Sequence, residues 1–533
     1  MLMPRTAPSA SPEVDVDCGR LRGAERFGVL EFLGVPYAAP LEGAARFAPP
    51  APPPEWSGTR DATVPGPAVA QIGTGGHIGR DALSSRPQGP GGLNLNIRTA
   101  SLDEPQPVLV WFHGGGLFAG SNAEPQLSTR AFAADGVVEV IANYRLGLQG
   151  YLDLGGDESA NRGLLDQIAV LAWVRRNIRS FGGDPERVTI GGHSAGGFAC
   201  AELLASPAAR GLFHQVLLGS GASSARHTLP TADAVRALTL ERLGLSRADD
   251  LEGLADAQLL GAQQSLIEEC YLRMPSRFGQ ASILGLPFEH TVDRATVVED
   301  VPRALAAGTA SGVPVLVMTT SGESRAHVSA FPEDITDDQA AREYEGMVRP
   351  LGLDGRTVLR AYRELLPRLS TKGLMAALNA DLRFTLDSVR VASAQAPHAP
   401  TYRLLLGEFD DIFGGLTPHG GVQGHAWRAP VGHPVPELKP QHQPFNPATA
   451  EFVHSAIVSF VRTGAPISHL GAEGSEPGET FAWPAVSSLA GDEVLWRGPD
   501  GHQVITEPSA ARLEWWGDRL DRSADAAANA LLV

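Results

Sequence analysis

Thr189-Ile190-Gly191-Gly192-His193-Ser194-Ala195-Gly196-Gly197 contains the spacing Gly192-x-Ser194-x-Gly196. In a nucleophile elbow of this spacing a strand ends, the chain turns sharply and a helix begins. The serine sits at the tip in a strained conformation with its hydroxyl exposed. A Cβ at either glycine would collide with the neighbouring strand or helix. The flanks agree: Arg187-Val188-Thr189-Ile190 reads as a short buried strand, and Phe198 to Ala205 as a helix with small residues at its start. In a chain with 60 glycines this spacing also arises by accident, so its surroundings have to support it.

Working outward, short apolar runs alternate with helical patterns. Leu30 to Tyr37 reads as a strand broken by Pro36, and Val108 to Phe112, Val137 to Asn143, Val216 to Leu218, Val313 to Met318 and Thr401 to Leu406 as buried strands. Leu164 to Phe181 has helical spacing, as do Phe452 to Thr463 and Ala511 to Leu520. This alternation predicts an α/β fold with a mostly parallel central sheet, helices on both faces and a helical cap insertion. Residues 1–12 read as a disordered tail, 13–525 as a single elaborated domain with helical cap regions at about 231–302 and 335–391, and 526–533 as a second tail. Val64 to Gly92, rich in Gly, Pro and Ala, reads as a long loop.

Composition narrows the function. The 533 residues carry 43 Lys and Arg against 60 Asp and Glu, a net charge of −17, which argues against nucleic acid or an anionic membrane as a partner. Cys18, Cys200 and Cys270 are odd in number and far apart, so neither a disulfide framework nor a metal cluster is expected. No cofactor is implied. Met1 to Val14 has no apolar core of a signal peptide, and no apolar run is long enough to span a bilayer. A cytoplasmic protein with no membrane insertion is the expectation; the oligomeric state is not legible.

Cleavage of an ester by a serine needs a nucleophile, a base, an acid that orients the base, and donors for the oxyanion. His113-Gly114-Gly115-Gly116 follows a buried strand, where backbone N–H groups can converge on an oxygen because no side chain intervenes. Together with the amide of Ala195 it is the candidate oxyanion hole.

The chain resembles the type-B carboxylesterase family, which includes bacterial para-nitrobenzyl-type esterases and the cholinesterases. The resemblance runs through Phe32-Leu33-Gly34-Val35-Pro36-Tyr37-Ala38, Arg46-Phe47, Trp56-Ser57-Gly58, Leu93 to Ile97, Asn143-Tyr144-Arg145-Leu146-Gly147 and Gly163-Leu164-Leu165-Asp166-Gln167. It is densest in Asn177-Ile178 and Phe181-Gly182-Gly183-Asp184-Pro185, leading through Val188-Thr189 to Ser194-Ala195-Gly196-Gly197, and it returns at Phe460 to Pro466. The resemblance implies an α/β-hydrolase fold with Ser194 as nucleophile and Gly115, Gly116 and Ala195 as oxyanion donors. Glu323, in Thr319-Thr320-Ser321-Gly322-Glu323-Ser324, stands at the family's acid. His425, in Gly424-His425-Ala426-Trp427-Arg428-Ala429-Pro430, stands at its histidine, with His433 as the rival. Ser220, in Gly219-Ser220-Gly221, resembles a serine that hydrogen-bonds near the acid, or is a plain turn residue.

Three positions depart from the family pattern. His193 precedes the nucleophile where Glu or Gln is usual. Arg428 replaces an acidic residue. Gly89-Pro90-Gly91-Gly92-Leu93 lacks the early cysteine, which excludes the family's first disulfide and predicts a mobile Val64–Gly92 loop. The reading is acyl transfer from a small-molecule ester to Ser194, with activity rising as the histidine loses its proton at about pH 7. An amidase, carbamate hydrolase or lipase could use the same groups, and a non-catalytic binding protein could share the fold.

Overall fold

A computed structural model describes residues 11–71, 87–156, 160–222, 226–273, 276–293, 295–298, 300–324, 326–407, 417–429, 446–470, 478–488, 493–498 and 501–520. Most of both expected tails, His433 and the middle of the Val64–Gly92 loop lie outside the described residues.

The centre is an 11-stranded sheet. In chain order its strands are β1 (Ala24–Arg26), β2 (Val29–Pro36), β3 (Asn94–Thr99), β4 (Gln106–Phe112), β5 (Val138–Ala142), β6 (Gly183–His193), β7 (Gln215–Gly219), β8 (Val315–Thr320), β9 (Thr401–Leu406), β10 (Glu493–Gly498) and β11 (Gly501–Thr506). In space they run β11-β10-β9-β8-β7-β6-β4-β5-β3-β2-β1. The run from β5 through β4, β6, β7, β8 and β9 to β10 is parallel, and both edges are antiparallel.

Strand β4 shows why these residues form a central strand. Leu109 and Trp111 enter one apolar layer, with Leu217, Met318, Trp427 and Phe460. Val110 and Phe112 enter the other, with Tyr144, Leu164, Trp173 and Phe198. Successive side chains point to opposite faces, so a continuous apolar run means helices on both sides. Covering these layers are α1 (Arg162–Asn177), α2 (Ala195–Ala205), α3 (Leu229–Leu243), α4 (Asp256–Arg273), α5 (Asp337–Val348), α6 (Gly355–Leu365), α7 (Thr371–Ala380), α8 (Leu386–Gln395), α9 (Gly421–Ala426) and α10 (Pro447–Thr463). Between α7 and α8 the chain makes a π-helical turn, Asp381–Thr385, a form that concentrates at functional sites.

Two of the quoted sequence motifs have structural explanations. Arg145 and Asp166, both fully buried, pair in two-point fashion at 2.8 and 2.7 Å, and Asp166 also accepts the Arg145 amide at 2.9 Å. In β3, the Asn96 Oδ1 accepts the Gly34 amide at 3.0 Å, where β2 slips register between Leu33 and Val35. The edge strands β1 and β11 were not anticipated, because both are half-exposed and lack a continuous apolar run.

Candidate active site

The elbow forms where the spacing predicts it. Strand β6 ends at His193, Ser194 takes φ 58° and ψ −122°, and α2 starts at Ala195. A non-glycine residue in that region costs on the order of 1–3 kcal/mol and persists only when its surroundings hold it. They do: the Ser194 amide donates to the Gly219 carbonyl at 2.8 Å, and its carbonyl accepts the Phe198 amide at 3.0 Å. A Cβ on Gly192 would overlap the Gly196 backbone, and one on Gly196 would overlap the Phe112 carbonyl. The elbow can therefore approach β4 only with glycine at both positions.

The glycine loop after β4 closes over the serine. A Cβ on Gly114 would stand 3.2 Å from the Ser194 Cβ and 2.8 Å from the His193 carbonyl oxygen. The loop is pinned from behind by His113, whose ring stacks on Tyr144 at 4.6 Å while the Tyr144 hydroxyl donates to the His113 carbonyl at 2.7 Å. Gly115 and Gly116 have φ of 133° and 61°, and the Gly115 carbonyl accepts the amides of Phe118 and Ala119.

Glu323 follows β8 and is 1 % exposed. Its Oε1 accepts the Thr320 amide at 2.7 Å and its Oε2 pairs with the His419 Nδ1 at 2.6 Å. The loop after β8 and the segment carrying His419 are stitched together. The Gly322 amide donates to the Thr417 carbonyl at 2.8 Å, and the Thr417 amide to the Ser321 Oγ at 3.1 Å. A carboxylate on Nδ1 fixes the tautomer and leaves Nε2 for proton transfer. The His419 ring lies 4.6 Å from the His193 ring and 4.3 Å from the Phe384 ring, and its side chain remains 18 % exposed.

His419, not the histidine expected from sequence, is the one paired with Glu323. His425 sits in the short helix α9 with its Nδ1 on the Gly421 carbonyl of the same helix, at 2.7 Å. Helix α9 is held there because Val422, Ala426 and Trp427 enter the apolar layer around Trp111. The overlooked signal is Pro418-His419-Gly420-Gly421: a turn-forming glycine, Gly420 at φ 100°, directly follows the histidine. The Ser220 hydroxyl is buried and makes no hydrogen bond among the described residues, while its amide donates to the Met318 carbonyl at 2.7 Å. The backbone of Thr320, not the Ser220 hydroxyl, therefore holds the second oxygen of Glu323.

Beyond the elbow, Glu202 of α2 is buried with the Arg226 guanidinium 3.8 Å away, and burial pushes its carboxyl up to about 8. Arg226 turns instead to Asp300 at 3.0 Å, which Arg390 also contacts at 3.3 Å. Among the described residues no group of His, Cys, Asp and Glu could hold a metal ion, and no helix is long and apolar enough to cross a membrane.

A mostly parallel sheet with a serine elbow after one central strand, and a glutamate after another that pairs with a histidine, defines an α/β-hydrolase. The chain belongs to the carboxylesterase family, whose family model matches residues 10–495. It is 35% identical over 500 residues to the para-nitrobenzyl esterase of Bacillus subtilis, covering 89% of this chain and 92% of that protein. It is 39% identical over 247 residues to the phenmedipham hydrolase of Pseudarthrobacter oxydans, covering 46% of this chain and 49% of that protein. Among solved structures, a carboxylesterase of Geobacillus stearothermophilus superposes with a TM-score of 0.77 at 30% identity, over 95% of this chain and 100% of that one.

Proposed function

We propose that ester hydrolysis in this protein runs through Ser194, His419 and Glu323, with the amides of Gly115, Gly116 and Ala195 as the oxyanion hole. The observation that carries this is the 2.6 Å pair between His419 and the buried Glu323, beside a serine held at positive φ under a glycine loop. The Ser194 oxygen attacks the ester carbonyl carbon and its proton passes to the His419 Nε2. The carbonyl oxygen, now an anion, is received by the amides. The alcohol leaves with the proton from His419, and water, deprotonated by the same ring, releases the acid and regenerates the serine. Losing one oxyanion donor costs on the order of 3 kcal/mol in such a site.

Phe198 and Phe384, stacked nearly parallel at 6.0 Å, give the site an apolar aromatic side beside the base. They support small apolar or aromatic esters as substrates. Phe118, 6 % exposed and next to the glycine loop, supports the same reading. A cytoplasmic location belongs to it too, supported by three free cysteines, two of them buried. The test is stoichiometric labelling of the protein by an organophosphate and its loss in Ser194→Ala, followed by esters of rising acyl length, one carbamate and one amide. Labelling at a residue other than Ser194 would overturn the proposal.

A further inference from the structure

His193 occupies the last position of β6, directly before the nucleophile, and is 7 % exposed. Its ring faces the His419 ring at 4.6 Å with 41° between the planes. Its Nδ1 would lie 3.5 Å from a Cβ placed on Gly114. The imidazole thus touches two parts of the site at once, the glycine loop and the ring held by Glu323. Its backbone is paired with Gly219 in β7, which fixes where the side chain starts.

We infer that His193 is a positioning residue for the reaction, seating the His419 ring against Glu323 and coupling its protonation to that of a second imidazole. The inference rests on His419 being the base. Two imidazoles at this separation cannot both carry a proton without repelling, so charge on one opposes charge on the other. Among the described residues the other titratable groups nearby are Glu323, paired with His419, His113, on the loop that continues into Gly114, and His327, whose ring lies 6.3 Å from that of Phe384. Glu323 favours charge on the pair, and a second charged imidazole opposes it. Ser220 and Phe384, from the elements packed on either side, carry no charge.

The test is the pH dependence of kcat/KM for a para-nitrophenyl ester in the wild type and in His193→Gln and His193→Glu. The expected wild-type acid limb needs two ionisations. In His193→Gln it reduces to one, and in His193→Glu a single ionisation moves to higher pH, by about one unit relative to His193→Gln, because a carboxylate there favours the charged ring. Retained organophosphate labelling shows that each variant is folded. A wild-type acid limb that fits a single proton, or three superimposable profiles, overturns the inference; the wild-type limb decides even where a variant fails to fold. His419→Ala, measured alongside, separates the two claims. If it keeps full activity the assignment of the base falls, whereas if it is inactive and the profiles coincide only the role of His193 falls.

Discussion

Replacing His419 and His425 one at a time discriminates between the two histidines most sharply. In His419→Gln the amide can still donate to Glu323, which is 1 % exposed and would otherwise keep only the Thr320 amide at 2.7 Å. What is lost is the proton shuttle. Removing the histidine of a serine triad lowers kcat by about 10⁴- to 10⁶-fold, or about 5–8 kcal/mol of barrier. The stability cost of the lost charge-assisted bond is on the order of 1–3 kcal/mol. In His425→Ala the lost bond lies within α9, 2.7 Å from the His425 Nδ1 to the Gly421 carbonyl. Its loss and that of a 3 %-exposed ring cost about 1–3 kcal/mol of stability, while kcat stays within about threefold. Steady-state hydrolysis of para-nitrophenyl acetate, normalised by active-site titration, and thermal unfolding read both effects. An inactive His425→Ala beside an active His419→Gln would refute the assignment of the base.

Other consequences follow from the same geometry. Glu202→Gln should alter the pH dependence of stability. The folded carboxyl is raised to about 8 by burial, so between the unfolded value near 4.5 and about 8 the folded state holds a proton that the unfolded state has released. The wild type then loses stability as pH rises through this window, and the variant should gain on it by a few degrees in Tm from pH 5 to 9; parallel Tm curves would contradict the burial argument. Gly196→Ala puts a methyl group into the Phe112 carbonyl and should abolish activity with a cooperative loss of thermal stability, read by circular dichroism. Arg145→Met leaves Asp166 buried without its partner and should cost about 3–5 kcal/mol in denaturant unfolding.

The parts of the molecule legible from sequence are those set by short-range sterics. A strand, a turn and a helix within the nine residues from Thr189 to Gly197 leave room for little but an elbow, since the glycine positions are fixed by contacts with the adjacent backbone. Runs such as Val108 to Phe112 announce a strand covered on both faces, and Thr401 to Leu406 coincides with β9 end to end. Glu323 was expected only through the family resemblance; in the fold it stands three residues beyond β8, where the chain has little freedom to wander. The segmentation of the region from Ile335 to Val391 was not legible. It divides into α5, α6, α7 and α8, with a π-helical turn at Asp381–Thr385 that brings Phe384 against His419.

Which histidine pairs with Glu323 lay beyond any local rule. Twelve residues separate Leu406 from His419 and eighteen separate it from His425, and chain of either length can span the same distance. The choice comes from contacts that close after the chain has folded: Gly322 and Ser321 bind Thr417, which swings His419 onto Glu323, while Trp427 sinks beside Trp111 and carries α9, with His425, into the opposite layer. Local sequence determined the elbow and its glycines, because neighbours along the chain supply the clash. Long-range packing determined which imidazole meets the acid, because that depends on where two distant loops come to rest.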